Sequence, residues 1–474
     1  MHRTILYSLA AAASLASLAA CTGSSAYQPS PVAVAPAYAP VKAAQSATFR
    51  ESATTAPFWR EIGDTTLTRL VEAALRGSTT VRAAEARLDA TRAARRLSAF
   101  DLAPSVTGAA SVLRTRQSMA QVPGLTSPLP QRDLYDVGFD ASWELDVFGR
   151  VHHAVNAQNA LVASSEHSLD DVQVTLAAEV ARTYFELRGA QRQLAVARQN
   201  AEVQRKTVGL TQDRLAAGRG NAFDIERARS VWQLTLAAVP GFQSQIAVST
   251  YRLAVLLGRS PEAPFDELAT EGVLPQLPDS VTIGSPRDLV RRRPDVLAAE
   301  RQLKAQTFAV SAAQADYMPR FSLAASVGYT ANRFQTLTNT GASRVLFGPV
   351  VSFPLLDLGR VRQRVTIAAA LQDQAQAQYT STVLSAIEET EGAIVSYDRA
   401  HERLGILTEA VASSRRASDL AQQRFEAGLT DFLQVLDAQR TLLDAENQLA
   451  NAHTSAATSL VALYKAVGGT WGAP

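Results

Sequence analysis

The stretch Val137–Arg150 reads VGFDASWELDVFGR, and about 210 residues later Phe347–Arg360 reads FGPVVSFPLLDLGR. Setting Gly149 on Gly359 (359 − 149 = 210) puts Gly138 on Gly348, Ser142 on Ser352, Trp143 on Phe353 and Arg150 on Arg360. The offset holds downstream, where Gln212, Arg214, Ala217, Gly218 and Ala228 meet Gln422, Arg424, Ala427, Gly428 and Ala438, and Gly258 meets Gly468. Upstream it is 215, with Ala84, Glu85, Leu88, Asp101 and Pro104 meeting Ala299, Glu300, Leu303, Asp316 and Pro319. The five-residue difference belongs to a loop between Val112 and Val137. A duplication that keeps glycines and prolines in register describes one structural unit built twice.

The quoted stretch is itself strand-like. Tyr135, Val137, Phe139, Ala141 and Trp143 alternate with Asp136, Gly138, Asp140, Ser142 and Glu144, which is period-two patterning with acid on one face. In the second copy Phe321, Leu323, Ala325, Val327 and Tyr329 alternate with Ser322, Ala324, Ser326, Gly328 and Thr330. With runs near Ser105–Thr115 and Val345–Phe353, the expectation is four strands in two hairpins, at about 105–116, 133–146, 320–332 and 344–355.

Between the strands the pattern changes to helix. Arg150–Ala217 and Arg360–Ala427 contain no proline and are dominated by Ala, Leu, Gln and Arg. A continuous helix of that length reaches roughly 100 Å at 1.5 Å per residue. Each run ends on a matched glycine, Gly218 or Gly428, which suits the left-handed residue after a helix C-terminus. Arg214 and Arg424 lie in the last turn, where a cation is favoured. Asn221 and Asp431 are N-cap types that open a returning helix. The expected products are helical hairpins at about 150–257 and 360–466, with tips near 218 and 428.

Residues 1–20 carry Arg3 and an apolar run from Ile5 to Ala20, the pattern of a signal peptide, and Cys21 is the only cysteine of the chain. Leu18-Ala19-Ala20-Cys21 resembles a bacterial lipobox, so Cys21 is the expected site of a covalent lipid, and Thr22 in place of aspartate favours the outer membrane. Residues 21–57 are rich in Ala, Ser and Pro and read as a leash. A first repeat is expected over 58–258, a Pro-rich linker over 259–286, a second repeat over 287–468 and a short tail over 469–474.

Lys and Arg number 46 against 44 Asp and Glu, which gives no indication of a nucleic-acid partner. No histidine has metal-site spacing, and GxSxG, Walker and HExxH motifs are absent, so neither an enzyme nor a metal or cofactor site is expected. A soluble sheet would alternate as these strands do. The lipid signal, however, places the chain at a membrane, and no apolar run after residue 20 is long enough for a spanning helix. Four strands of roughly ten residues have bilayer length but cannot close a barrel, and an open edge in lipid is not tolerated. A membrane sheet of this size requires an oligomer, two copies at the least, with three giving twelve strands.

Several segments resemble the TolC-like outer membrane efflux proteins, in particular the lipidated OprM/NodT subgroup. They are DASWELDVFGR (Asp140–Arg150), AEVARTYFELRGAQ (Ala178–Gln191), LAVLLGRSP (Leu253–Pro261), RRRPDVLAAE (Arg291–Glu300), LLDLGR (Leu355–Arg360), RFEAG (Arg424–Gly428) and VLDAQR (Val435–Arg440). The resemblance covers nearly the whole mature chain. It implies an α+β membrane protein of TolC-like fold, a homotrimer with four transmembrane strands per chain in one 12-stranded barrel, above a long periplasmic α-helical barrel. It also implies partners: a periplasmic adapter and an inner-membrane pump, of the proton-driven RND type. The protein would be their passive exit duct for drugs or other small solutes, sited in the outer membrane.

Leu433, Asp437 and Arg440 fall on one helix face just above the second tip, at i, i+4 and i+7. Their first-copy equivalents are Phe223, Arg227 and Ser230, so the copies diverge there. The resemblance implies a channel gate from these three, ringed by threefold symmetry; the alternative is a solvated Asp–Arg pair. Arg214, Gly218, Arg424, Gly428 and Thr430 at the tips are candidate adapter contacts, with helix capping as their other role. Arg291-Arg292-Arg293-Pro294-Asp295 reads either as a polyanion patch or as a helix start, Pro294 at the first position and Asp295 just inside. The exit channel of a type I protein-secretion system and a structural periplasmic lipoprotein without a pore remain as other functions.

Overall fold

The computed structural model describes residues 37–39, 49–51, 57–116, 118, 127, 130–262, 265, 268, 275, 277–278 and 280–468. Cys21, the signal segment, most of the leash and the tail 469–474 lie outside them. In chain order the elements are β1 (Phe49–Glu51), α1 (Phe58–Glu61), α2 (Thr65–Gly77), α3 (Thr79–Phe100), β2 (Ser105–Thr115), β3 (Arg132–Glu144), α4 (Arg150–Ala216) and α5 (Ala222–Leu256). The second half follows with β4 (Val281–Ile283), α6 (Pro286–Arg292), α7 (Pro294–Ala315), β5 (Arg320–Ala331), β6 (Ser343–Ser352), α8 (Leu358–Glu426) and α9 (Phe432–Ala466). The helices match in length between copies, 67 against 69 residues for α4 and α8 and 35 each for α5 and α9.

Residue contacts divide the chain into two units that cut across the repeat, each taking segments from both copies. One unit comprises Arg87–Glu166 and Ala298–Thr380 among its described residues. Its centre is a four-stranded antiparallel sheet in the order β2-β3-β5-β6. Phe139 pairs with Val327 and Val327 with Val345, so Val137, Phe139, Val327, Val345 and Phe347 lie on one face. That face is exposed, Phe347 by 74% and Val345 by 78%. The opposite face carries a polar seam. Arg344 donates to Asp136 at 2.9 and 3.0 Å and also to Ser326, and Thr330 donates to Asp136. Gly138 and Gly328 meet beneath it, where a Cβ on Gly328 would lie 2.4 Å from the Val137 carbonyl oxygen.

The strand ends differ from expectation for identifiable reasons. β3 stops at Glu144 instead of 146, because Asp146 adopts φ 45° and turns the chain. Its carboxylate accepts from Val151 and His152 N–H at 2.8 Å each, capping α4. β6 stops at Ser352 instead of 355, since Pro354 has no N–H for a ladder. The copies part here too. Gly149 has φ 75° and precedes α4, whereas Gly359 is already inside α8, which begins two residues before the expected 360.

The second unit comprises, among its described residues, parts of 37–86, His167–Leu297 and 381–468. Its core is aromatic. Phe58 stacks on Tyr464 with centroids 5.4 Å apart, and Tyr184, Phe185, Tyr397 and Leu460 are buried around them. Burial of each such side chain stabilises the fold by roughly 1.5–3 kcal/mol. The buried Tyr184 hydroxyl keeps a partner. Tyr184 donates to Asp64 at 2.7 Å, and Asp64 caps α2 by accepting from Thr66 and Leu67. Burial and the Asp64 carboxylate push the Tyr184 phenol up to about 12.

Two segments read as irregular carry structure here. Phe49–Glu51 of the leash pairs in parallel with Val281–Ile283 of the linker. Pro294 opens α7, while Arg293 is buried, not offered to a polyanion. It donates to Asp295 at 2.7 and 3.0 Å, to Glu389 at 2.7 Å and to the Ala466 carbonyl at 2.9 Å, closing the C-terminus of α9. Among the described residues no helix is long and apolar enough to cross a membrane.

Candidate functional site

Both hairpin tips close by the same backbone device. The Gly218 N–H donates to the Leu215 carbonyl at 2.9 Å and the Arg219 N–H to that of Arg214 at 2.9 Å; Gly428 and Leu429 repeat this on Phe425 and Arg424 at 3.0 and 2.8 Å. Gly218 and Gly428 take φ 70° and 75°, the conformation this turn demands. Asn221 then accepts from Asp224 N–H at 2.8 Å and Asp431 from Gln434 N–H at 3.2 Å. Capping is therefore a role the tip residues do fill.

Side chains break the symmetry that the backbone keeps. The Arg214 guanidinium lies 4.1 Å from the Phe425 ring centre and donates to the Phe425 carbonyl at 3.2 Å. It links the two tips and satisfies a C-terminal carbonyl of α8. Arg424 is exposed and makes no such contact, because its counterpart of Phe425 is Leu215. The aromatic ring that receives Arg214 exists in only one copy; comparing 215 with 425 in the sequence would have revealed it. Beneath the tips Phe425, Phe432, Val435, Leu436, Val208 and Ala228 form a small core. Thr430 is half-exposed and its hydroxyl contacts the Gln434 amide oxygen.

On α9 the buried face carries Phe432, Val435, Leu436 and Gln439, the last donating to Thr207 at 3.1 Å. Leu433, Asp437 and Arg440 all lie on the other face and are exposed, Leu433 by 48%. The ion pair between Asp437 and Arg440 that the spacing permits is not made, and neither side chain pairs with another described residue. One face of a helix thus presents an apolar group, an anion and a cation, uncompensated among the described residues. Phe223, Arg227 and Ser230 are likewise exposed on α5. Among the described residues no group of His, Cys, Asp and Glu could hold a metal ion.

The family model for "Outer membrane efflux protein" matches residues 70–259 and 286–469. The outer membrane protein OprJ of Pseudomonas aeruginosa is 32% identical over 415 residues, 87% of this chain and 86% of that protein. The solvent efflux pump outer membrane protein SrpC of Pseudomonas putida is 30% identical over 423 residues, 89% of each. The solved structure of the outer-membrane channel OprN superposes with TM-score 0.88 at 37% identity, covering 95% of this chain and 99% of that one.

Proposed function

Because the chain belongs to the outer membrane efflux protein family and has its TolC-like α+β fold, we propose that it is the passive exit duct of a tripartite efflux assembly. Three copies close one 12-stranded barrel in the outer membrane. The observation that carries this reading is the open sheet: four strands of 10–13 residues, apolar on one exposed face and polar on the other. Such a sheet satisfies its edges and covers its apolar face when neighbouring copies complete it and lipid surrounds it. The helices then extend the duct into the periplasm. A diacylglycerol on Cys21 adds a second hold on the membrane.

The partners on this reading are a periplasmic adapter and an inner-membrane pump of the proton-driven RND type. The cargo is drugs or other small solutes; the name of SrpC gives solvents for that protein. Adapter contact falls on Arg424, Gly428 and Thr430 together with Gly218, while Arg214 supports the surface by holding Phe425. Leu433, Asp437 and Arg440 form the gate: three chains turn each into a ring, and the charges left unpaired within one chain find partners across the axis. Asp437→Ala should therefore raise single-channel conductance in planar bilayers and increase passive leakage of large antibiotics into cells. Wild-type values in both assays would remove Asp437 from the gate.

A further inference from the structure

At the end of the sheet away from the helices, β2 finishes at Thr115, β3 begins opposite it at Arg132, and β5 finishes at Ala331, paired with Tyr135. Four arginines gather at this rim. Arg114 sits opposite Asp133 and donates to both carboxylate oxygens, at 2.6 and 3.0 Å. Arg116, Arg132 and Arg333 are exposed and form no ion pair among the described residues. Four cations against one anion leave an excess of three positive charges per chain. Where the strands meet the helices the opposite holds: Arg150 is paired with Glu144 and Arg320 with Asp316.

Just inside the rim lies aromatic surface. Tyr135 and Tyr329 share the apolar face, and Phe334, 69% exposed, meets Tyr135 edge-on with centroids 5.9 Å apart. Aromatic rings below free cations, above an apolar face, are the arrangement that meets a lipid headgroup at a bilayer surface. Guanidinium forks match phosphate oxygens in geometry as well as charge.

We infer that this arginine rim binds the phosphorylated glycolipid of the outer leaflet, its guanidinium groups on the sugar phosphates and Tyr135, Tyr329 and Phe334 against the sugar and the first acyl carbons. The inference rests on the reading that the sheet spans the outer membrane with the helices on the periplasmic side. A ligand with two phosphate groups fits an excess of three charges better than a phospholipid with one. Arg116 and Arg333 are the discriminating residues, because neither side chain pairs with another described residue.

The test uses the full-length protein, delipidated in detergent and titrated with hexa-acylated diphosphoryl lipid A or with phosphatidylglycerol, bound lipid being counted by native mass spectrometry. Wild type should bind lipid A at least tenfold more tightly than phosphatidylglycerol. Arg116→Gln/Arg333→Gln should lose at least tenfold in lipid A affinity while keeping wild-type conductance in planar bilayers. The two single variants, each expected to lose about threefold, carry the test if the double variant does not fold. Equal affinity for the two lipids, or lipid A affinity unchanged in the variants, would overturn the glycolipid site. A wild-type protein that forms no conducting pore would instead overturn the barrel reading, and this inference with it.

Discussion

Asp171 on α4 shows how much a single side chain can depend on distant parts of the sequence. Burial raises its carboxyl above the ordinary carboxylate range, Asp295 and Glu389 push the same way, and Lys465 and Arg293 oppose them. The folded protein therefore holds this proton more tightly than the unfolded chain. Its contribution to stability is present below the unfolded pKa and is lost as pH rises through the raised folded value. Asp171→Asn, which mimics the protonated form, should raise the melting temperature at pH 7, with the gain shrinking towards zero at pH 4. A gain that is the same at both pH values would mean the ionised carboxylate is not what limits stability. None of this is legible locally. The sequence around Arg293 announces a helix start at Pro294, but not that Arg293 reaches Ala466, 173 positions away.

The hairpins are legible because their determinants are local. A glycine after the last turn and an Asn or Asp before the next helix act over six residues, so both tips could be located without knowing what packs against them. The same locality predicts what their mutation costs. Nothing lies within 4 Å of a Cβ built on Gly218 or Gly428, so alanine there pays only for left-handed backbone, about 1 kcal/mol. Gly258, which also has positive φ, differs: its Cβ would lie 2.2 Å from the Gly77 carbonyl oxygen. Gly258→Ala should therefore lower the denaturation midpoint clearly more than Gly218→Ala or Gly428→Ala. Equal losses at all three would show that backbone conformation alone sets the cost. Strand ends were less legible than tips, since the left-handed Asp146 and the missing N–H of Pro354 each override an alternation that runs on past them.

For the molecule as a whole the sheet makes the strongest demand. Its apolar face has no cover among the described residues, and β2 and β6 are both edges. Phe347 and Leu346 are neighbours at the middle of β6, both exposed, pointing to opposite faces. Phe347→Lys places a charge in lipid at a cost of about 2–4 kcal/mol per chain near mid-bilayer. It should sharply reduce trimer recovered from outer-membrane fractions. Leu346→Lys, on the polar face, should leave trimer near wild-type amounts. If the two variants behave alike, the assignment of faces to lipid and lumen fails.

Duplication, strand alternation, helix length and tip geometry could all be read from the chain, and with them the face of α9 that bears Leu433, Asp437 and Arg440. Each follows from periodicity or from contacts among a few successive residues, where the side chains involved are fixed by their order. Tertiary structure alone decided that Arg214 docks on Phe425 while Arg424 stays free, that Arg293 closes α9, and that Gly138 and Gly328 meet in register. These pairings join residues roughly 170 to 210 positions apart. Their formation depends on how whole helices and strands pack, and the two copies share a backbone pattern but not the side chains that complete it.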